Sequence, residues 1–248
     1  DRNITFAPNV MEQKCDVPGV TLNGEWGYDR EGLLRNSRNY YAMIENIDMN
    51  VGRFMSFLEE NELADNTIVI FLADHGELGG AHGLMAKQYP YEESVGIPCI
   101  VYDPRKKQRA GARIPEPIHT EDFFPTILGL AGLSPKHPLP GENCAPLIDG
   151  EADTLDRAGV MLEFVGETRY HMCFYEQGWR AFRSERYKYV VIAHKNRGGT
   201  PWMFFDLEQD PWEMRNLIDD PAYADEIERH HRLLKEELER SRDQFQME

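Results

Sequence analysis

Residues 67–72 read TIVIFL, and residues 73–87 continue as ADHGELGGAHGLMAK. The first six are a continuous β-branched and apolar run. Such a run suits a strand covered on both faces, the pattern of a parallel sheet between helix layers. Asp74 then stands at the carboxyl end of that strand, the edge where open α/β sheets bind ligands. Glycine-rich chain follows, carrying Asp74, His75, Glu77, His82 and Lys87. A solvated turn has no need of two imidazoles, two carboxylates and one lysine.

Two readings of Asp74 and His75 stand on residue type alone. They are two ligands of one cation, with further ligands supplied from elsewhere, because metals need three or more. Alternatively, Asp74 caps a turn and His75 bonds a backbone carbonyl. Lys87 is a compact cation suited to an anionic substrate. Glu77 and Glu92 read as structural or rim carboxylates.

Working outward, Tyr40, Ile44, Ile47, Val51, Phe54 and Leu58 recur at steps of four and three, one face of a helix that ends near Asn61–Asn66. Downstream, CIVY at Cys99–Tyr102 is a second buried strand between prolines. Thr120 or Asp122 is placed to cap a helix over Phe123–Leu130, with Pro125 in its first turn. Proline-rich loop runs from Ser134 to Pro146. The pattern then changes to short strands at Val160–Val165, Tyr170–Tyr175, Trp179–Arg183, Tyr187–Ile192 and Met203–Phe205, and to a final helix near Ala222–Arg240. The expected fold class is α/β: part of a mostly parallel sheet domain with flanking helices over 1–152, then a smaller antiparallel-sheet-plus-helix subdomain over 153–248.

Composition excludes some partners. With 27 basic and 43 acidic residues the formal net charge is −16, and no basic stripe offsets it, so nucleic acid is not expected. The cluster RKKQR at Arg105–Arg109 reads as a solvated loop. Apolar runs are too short to span a bilayer, so a soluble chain with no membrane partner is expected. The start, DRNITFAPNV, has neither an initiator Met nor a signal-type apolar core, so the chain reads as a piece of a longer one and leaves its compartment unassigned. Cys15, Cys99, Cys144 and Cys173 fit no zinc spacing and read as free buried thiols.

The segment DHGELGGAHGLMAK resembles the metal-and-lysine segment of the sulfatase family, in the alkaline phosphatase superfamily. Four further segments follow in order: KQYPYEESVGIPCIVYDP, EDFFPTILGLAGL, PGENCAPLIDG, and RSERYKYVVI with MFFDLEQDPWEMRNL. Each resembles a stretch of the same family. The resemblance implies a sulfuric ester hydrolase, with Asp74 and His75 as metal ligands, Lys87 on the sulfate or leaving oxygen, and His82 as a further catalytic candidate. It implies a divalent metal, Ca²⁺ by the family's usage, with Mn²⁺ or Zn²⁺ as alternatives that suit imidazole. A formylglycine nucleophile made in a CxPxR-type motif is also implied, and these 248 residues contain no such motif. The chain therefore resembles the C-terminal portion of a sulfatase, expected to be inactive alone. Sulfated small molecules or sulfated carbohydrates are the implied substrates. Arg197 and Trp202, in the loop HKNRGGTPW, are candidate substrate contacts: Trp for a sugar face, Arg for a second sulfate. Phosphonate monoester or phosphodiester hydrolysis is one alternative, and a non-catalytic packing or binding module is another.

Overall fold

The computed structural model describes residues 5–10, 29–166, 174, 176–194 and 198–247. The chain forms two compact units, 1–111 and 112–248.

The first unit is built on helix α1, Arg30–Glu60, and the strands β1, Val69–Leu72, and β2, Cys99–Tyr102. Asp29 caps α1 by accepting from the Gly32 amide at 2.7 Å, next to Glu31 in the first turn, where acidic residues oppose the helix dipole. The helix forms where its apolar spacing places it. Its expected inner face is open within this chain, however: Tyr40, Ile44, Ile47 and Phe54 are exposed, and only Gly32, Leu33 and Leu58 are buried.

The strand runs TIVIFL and CIVY form, but they pair antiparallel, Val69 opposite Tyr102 and Leu72 opposite Cys99. The expectation of a mostly parallel sheet is corrected for these strands. Apolar content carries no information on a strand's direction, and the expected burial is corrected too: β1 is half-buried with Leu72 exposed, and Cys99, Ile100 and Tyr102 of β2 are exposed. Here residues 73–98 leave β1 and return to the same end of the sheet, so no crossover is made. That excursion contains a short turn of helix, α2, Glu92–Val95. Cys99 lies exposed on β2, contrary to the expected buried thiol.

The second unit holds α3, Phe123–Leu130, α4, Ala145–Asp149, the strands β3, Val160–Phe164, β4, Gln177–Arg183, β5, Tyr187–His194, and β6, Thr200–Asp206, and helix α5, Ala224–Ser241. The strands form one antiparallel meander in chain order. Helix α5 packs on β4 and β5, and Phe182, Tyr189, Val191, Phe204, Leu217, Leu234 and Leu238 form the core. This is the antiparallel-sheet-plus-helix subdomain read from the sequence. The expected strand at Tyr170–Tyr175 falls outside the described residues except for Phe174.

Hydrogen bonds link residues on either side of Gly150–Ala152. Arg157 donates to both Asp122 carboxylate oxygens, at 3.0 and 2.7 Å, and to the Pro117 carbonyl, while the Leu155 amide donates to Glu116. These bonds tie residues 112–150 to the sheet that follows. Asp122, one of the two residues placed to cap α3, stands at its N-cap position but makes no side-chain cap bond; its carboxylate accepts the His119 and Glu142 amides instead. Burial opposes its charge, and Arg157 with the two amides overrides this, holding its carboxyl below the usual range.

Three buried residues on α5 are spaced by four: His230, Leu234 and Leu238. His230 Nδ1 donates to the Glu226 carbonyl at 2.8 Å, leaving Nε2 to accept from the Ser184 hydroxyl at 3.0 Å. Burial pushes its pKa down, against the pull of Glu226. Well above pH 6.5 both the folded and the unfolded chain leave this group neutral, so stability is flat there. As pH falls below that value the unfolded chain takes up the proton first, and stability declines until the folded-state pKa is passed. Melting curves between pH 7.5 and 5 are expected to show this decline, and His230→Gln to flatten it. An unchanged slope in the variant would assign the decline to other groups.

Among the described residues, no helix is long and apolar enough to cross a membrane.

Candidate active site

The strand β1 ends at Leu72, and the chain turns at once. Gly76 permits this turn. Its amide donates to the Ser94 carbonyl at 2.8 Å, and a Cβ at this position would meet the Glu93 carbonyl oxygen at 2.0 Å. Any side chain here would push residues 74–76 away from the chain at 93–94.

The turn leaves Asp74 and His75 outermost. Asp74 is 87% exposed at its side chain and His75 41%. Both bonds of the capping alternative exist: the His75 amide donates to Asp74 Oδ1 at 3.0 Å, and His75 Nδ1 donates to the Gly76 carbonyl at 2.8 Å. They do not exhaust the pair. With the proton on Nδ1, the imidazole carries a lone pair at Nε2, and that atom lies 3.4 Å from Asp74 Oδ2. Two acceptors at that distance repel unless a cation or proton lies between them. One carboxylate oxygen and one imidazole nitrogen, with the other ring nitrogen held by a carbonyl, fit a divalent metal. They supply two ligands, which is fewer than any metal takes.

Beyond the pair the chain folds back. Leu78 N donates to Ala86 O, and Gly80 N to Leu84 O, each at 2.8 Å. Gly79, Gly80 and Gly83 have φ of 54, 103 and 69°, as a loop that reverses so tightly requires. Lys87 follows on the exposed side of this loop.

His82 is placed differently from the exposed pair. Its ring stacks on Tyr91, centroids 3.7 Å apart and 12° from coplanar. Its amide donates to the Asn9 carbonyl at 2.8 Å, and its Nε2 lies 3.3 Å from Asn9 Nδ2 and 3.9 Å from Glu93 Oε2. Asn9 is fully buried and also donates to Glu93. Neither Asn9 nor Glu93 is marked in the sequence, since Asn9 stands in an irregular segment with no periodicity.

The remaining candidates are in the second unit. Trp202 lies on β6, half-buried, with Phe174 edge-on at 6.1 Å and its carbonyl accepting from Asn216 Nδ2. Arg197 lies outside the described residues. Cys144, the one cysteine followed by a proline at the formylglycine spacing, is buried. Its amide is held by Thr126, and burial pushes its thiol up to about 11, so it supplies no thiolate. RKKQR, expected as a solvated loop, lies in a short 3₁₀ stretch over Pro104–Arg109, where Arg105 forms a forked pair with Asp103 and Lys107 lies 3.8 Å from Asp65.

Two family models cover the chain, "Sulfatase" over residues 5–133 and "N-sulphoglucosamine sulphohydrolase, C-terminal" over residues 80–244. The chain belongs to the sulfatase family. It is 30% identical over 219 residues to an arylsulfatase of Clostridium perfringens, matching 85% of this chain and 42% of the relative. A solved 2-O GAG sulfatase superposes with a TM-score of 0.73 at 27% identity, over 88% of this chain and 46% of its own. The phosphonate monoester hydrolase of Agrobacterium radiobacter superposes with a TM-score of 0.71 at 26% identity, over 87% of this chain and 43% of its own. The sulfatase-family chain thus spans less than half the length of the relatives it matches.

The rest of the family pattern reads as packing. In FDLEQDPWEMRNL, Asp206 takes the forked guanidinium of Arg186 at 3.0 and 2.7 Å, Asp210 accepts the Arg215 amide, and Glu213 pairs with Lys188. Asn216 accepts the Phe204 amide and donates to the Trp202 carbonyl, holding the turn against β6.

Proposed function

We propose that this chain is the metal- and lysine-bearing portion of a sulfuric ester hydrolase acting on sulfated small molecules or sulfated carbohydrates. The observation that carries the reading is the pair His75 Nε2 and Asp74 Oδ2, 3.4 Å apart and exposed at the end of β1. Membership of the sulfatase family supports the reaction class, and the GAG sulfatase among the structural relatives supports a sugar substrate.

In this proposal Asp74 and His75 hold a divalent cation, calcium by the family's usage, with manganese or zinc as the alternatives that elemental analysis would distinguish. When bound, the cation neutralises sulfate oxygens and lowers the pKa of an attacking group. The Gly76 carbonyl keeps the Nδ1 proton in place and so presents Nε2 as a ligand. Lys87 binds a sulfate oxygen or the departing alkoxide, where an ammonium stabilises developing charge. The nucleophile, a formylglycine in this reading, comes from sequence other than these 248 residues, which lack its motif. The chain alone is accordingly expected to be inactive.

The phosphonate reading has its own support in the phosphonate monoester hydrolase relative. A cation and a lysine receive either anion's oxygens. The deciding assay gives the full-length protein matched aryl sulfate and aryl phosphonate monoesters. Sulfate ester turnover is expected to exceed phosphonate turnover in kcat/KM. The reverse ranking would replace the sulfatase assignment with the phosphonate one.

A further inference from the structure

Lys87 sits between two residues with unusual backbone. Ala86 has φ of 64° and Gln88 of 94°, and His82, earlier in the same loop, has 54°. Residues with a Cβ enter this region rarely, and they stay there where the surroundings over-determine them. At Ala86 one side chain supplies part of that constraint. Glu77 Oε1 accepts the Ala86 amide at 2.6 Å and the Gly79 amide at 3.2 Å. A charged acceptor makes both bonds stronger than a neutral one would. Glu77 also stands three residues after Asp74, and its Ala86 contact spans nine residues. A single carboxylate therefore fastens the residue before Lys87 to the segment that begins with Asp74 and His75.

We propose that Glu77 is a positioning residue, which fixes the Ala86–Lys87 backbone relative to Asp74 and His75 so that the lysine ammonium meets the substrate's oxygens without a search. Glu77 has no contact with the reacting atoms in this scheme; it acts through Lys87. The inference rests on the proposed role of Lys87. Its physical basis is that a misplacement of about 1 Å at a catalytic group costs as much as 10²-fold in rate. The loop's own bonds from Leu78 to Ala86 and from Gly80 to Leu84 close the turn. They leave to Glu77 the amide of Ala86, the residue before the lysine.

The test uses the full-length protein with an alkyl sulfate, whose poor leaving group needs the lysine most. Glu77→Ala is expected to lower kcat about 10- to 100-fold with KM little changed. Glu77→Gln, whose amide oxygen accepts the same two bonds, is expected to restore most of the rate. In a Lys87→Ala background, Glu77→Ala is expected to cost less than about threefold, since residues acting as a unit are non-additive. Hydrogen exchange gives an activity-independent readout: the Ala86 amide is expected to exchange at least about tenfold faster in Glu77→Ala and near the wild-type rate in Glu77→Gln. If Lys87→Ala keeps full activity, the proposed role of Lys87 falls and this inference with it. If Lys87→Ala is impaired while Glu77→Ala keeps the wild-type rate, or shows the same loss in both backgrounds, this inference alone falls. A faster Ala86 amide with unchanged kcat would make Glu77 a loop staple and overturn it equally.

Discussion

Asp74→Ala in the full-length protein is expected to release the divalent cation and to lower turnover about 10³-fold, the equivalent of roughly 4 kcal/mol of transition-state stabilisation. The expectation follows from the exposed carboxylate 3.4 Å from His75 Nε2: no neighbour in the turn replaces its charge. The same variant is expected to melt at nearly the wild-type temperature. Asp74 is 87% exposed and its described hydrogen bond is to the next residue's amide, and such surface positions usually change stability by less than about 0.5 kcal/mol. Loss of activity with an unchanged melt would separate function from folding. His75→Ala should act in the same direction and less completely. Wild-type metal content in Asp74→Ala, measured by elemental analysis, would remove the ligand assignment.

The largest effect on folding is expected at Lys188 and Glu213. The ammonium and carboxylate are 2.6 Å apart and both side chains are essentially inaccessible, 0% and 1% exposed. A buried pair is a poor source of net stability, since two desolvation costs offset the attraction. Breaking it is another matter: Lys188→Met leaves a carboxylate buried beside an apolar chain, and is expected to cost about 3–5 kcal/mol. Glu213→Gln leaves the ammonium instead and should cost a similar amount. In the double variant neither charge remains, so part of the loss should return. Urea unfolding followed by circular dichroism measures all three. Single variants within about 1 kcal/mol of wild type would mean that water reaches the pair in solution.

The sequence carried some of this fold plainly and left other parts unmarked. Helix α1, α3, α5 and the strands β3 to β6 follow from period and punctuation, because local spacing determines which residues share a face. Strand direction did not follow. TIVIFL and CIVY announce apolar strands, and only the return path of residues 73–98 decides that they run antiparallel. The face of α1 illustrates the same gap: spacing identifies Tyr40, Ile44, Ile47 and Phe54 as one stripe, but not what covers it. At the site, Asp74, His75 and Lys87 were legible as chemical types next to a strand end. Glu77 was legible only as a carboxylate, since its bond to Ala86 depends on a loop reversal that no periodicity encodes. Asn9 contributes to the surroundings of His82 from far away in sequence, and nothing near Asn9 announces it.

The bonds within FDLEQDPWEMRNL have a consequence for how relatives of this chain are recognised. Asp206, Asp210, Glu213 and Asn216 each hold a strand, a turn or a buried lysine, and none of these contacts involves Asp74, His75 or Lys87. Each of these contacts serves folding. A descendant that had lost the lysine and both candidate ligands would keep this signature intact for as long as it kept its C-terminal sheet. On the proposed reading of Asp74, His75 and Lys87, the signature traces ancestry, and the loop at 74–87 is where a pseudoenzyme and a working hydrolase would part.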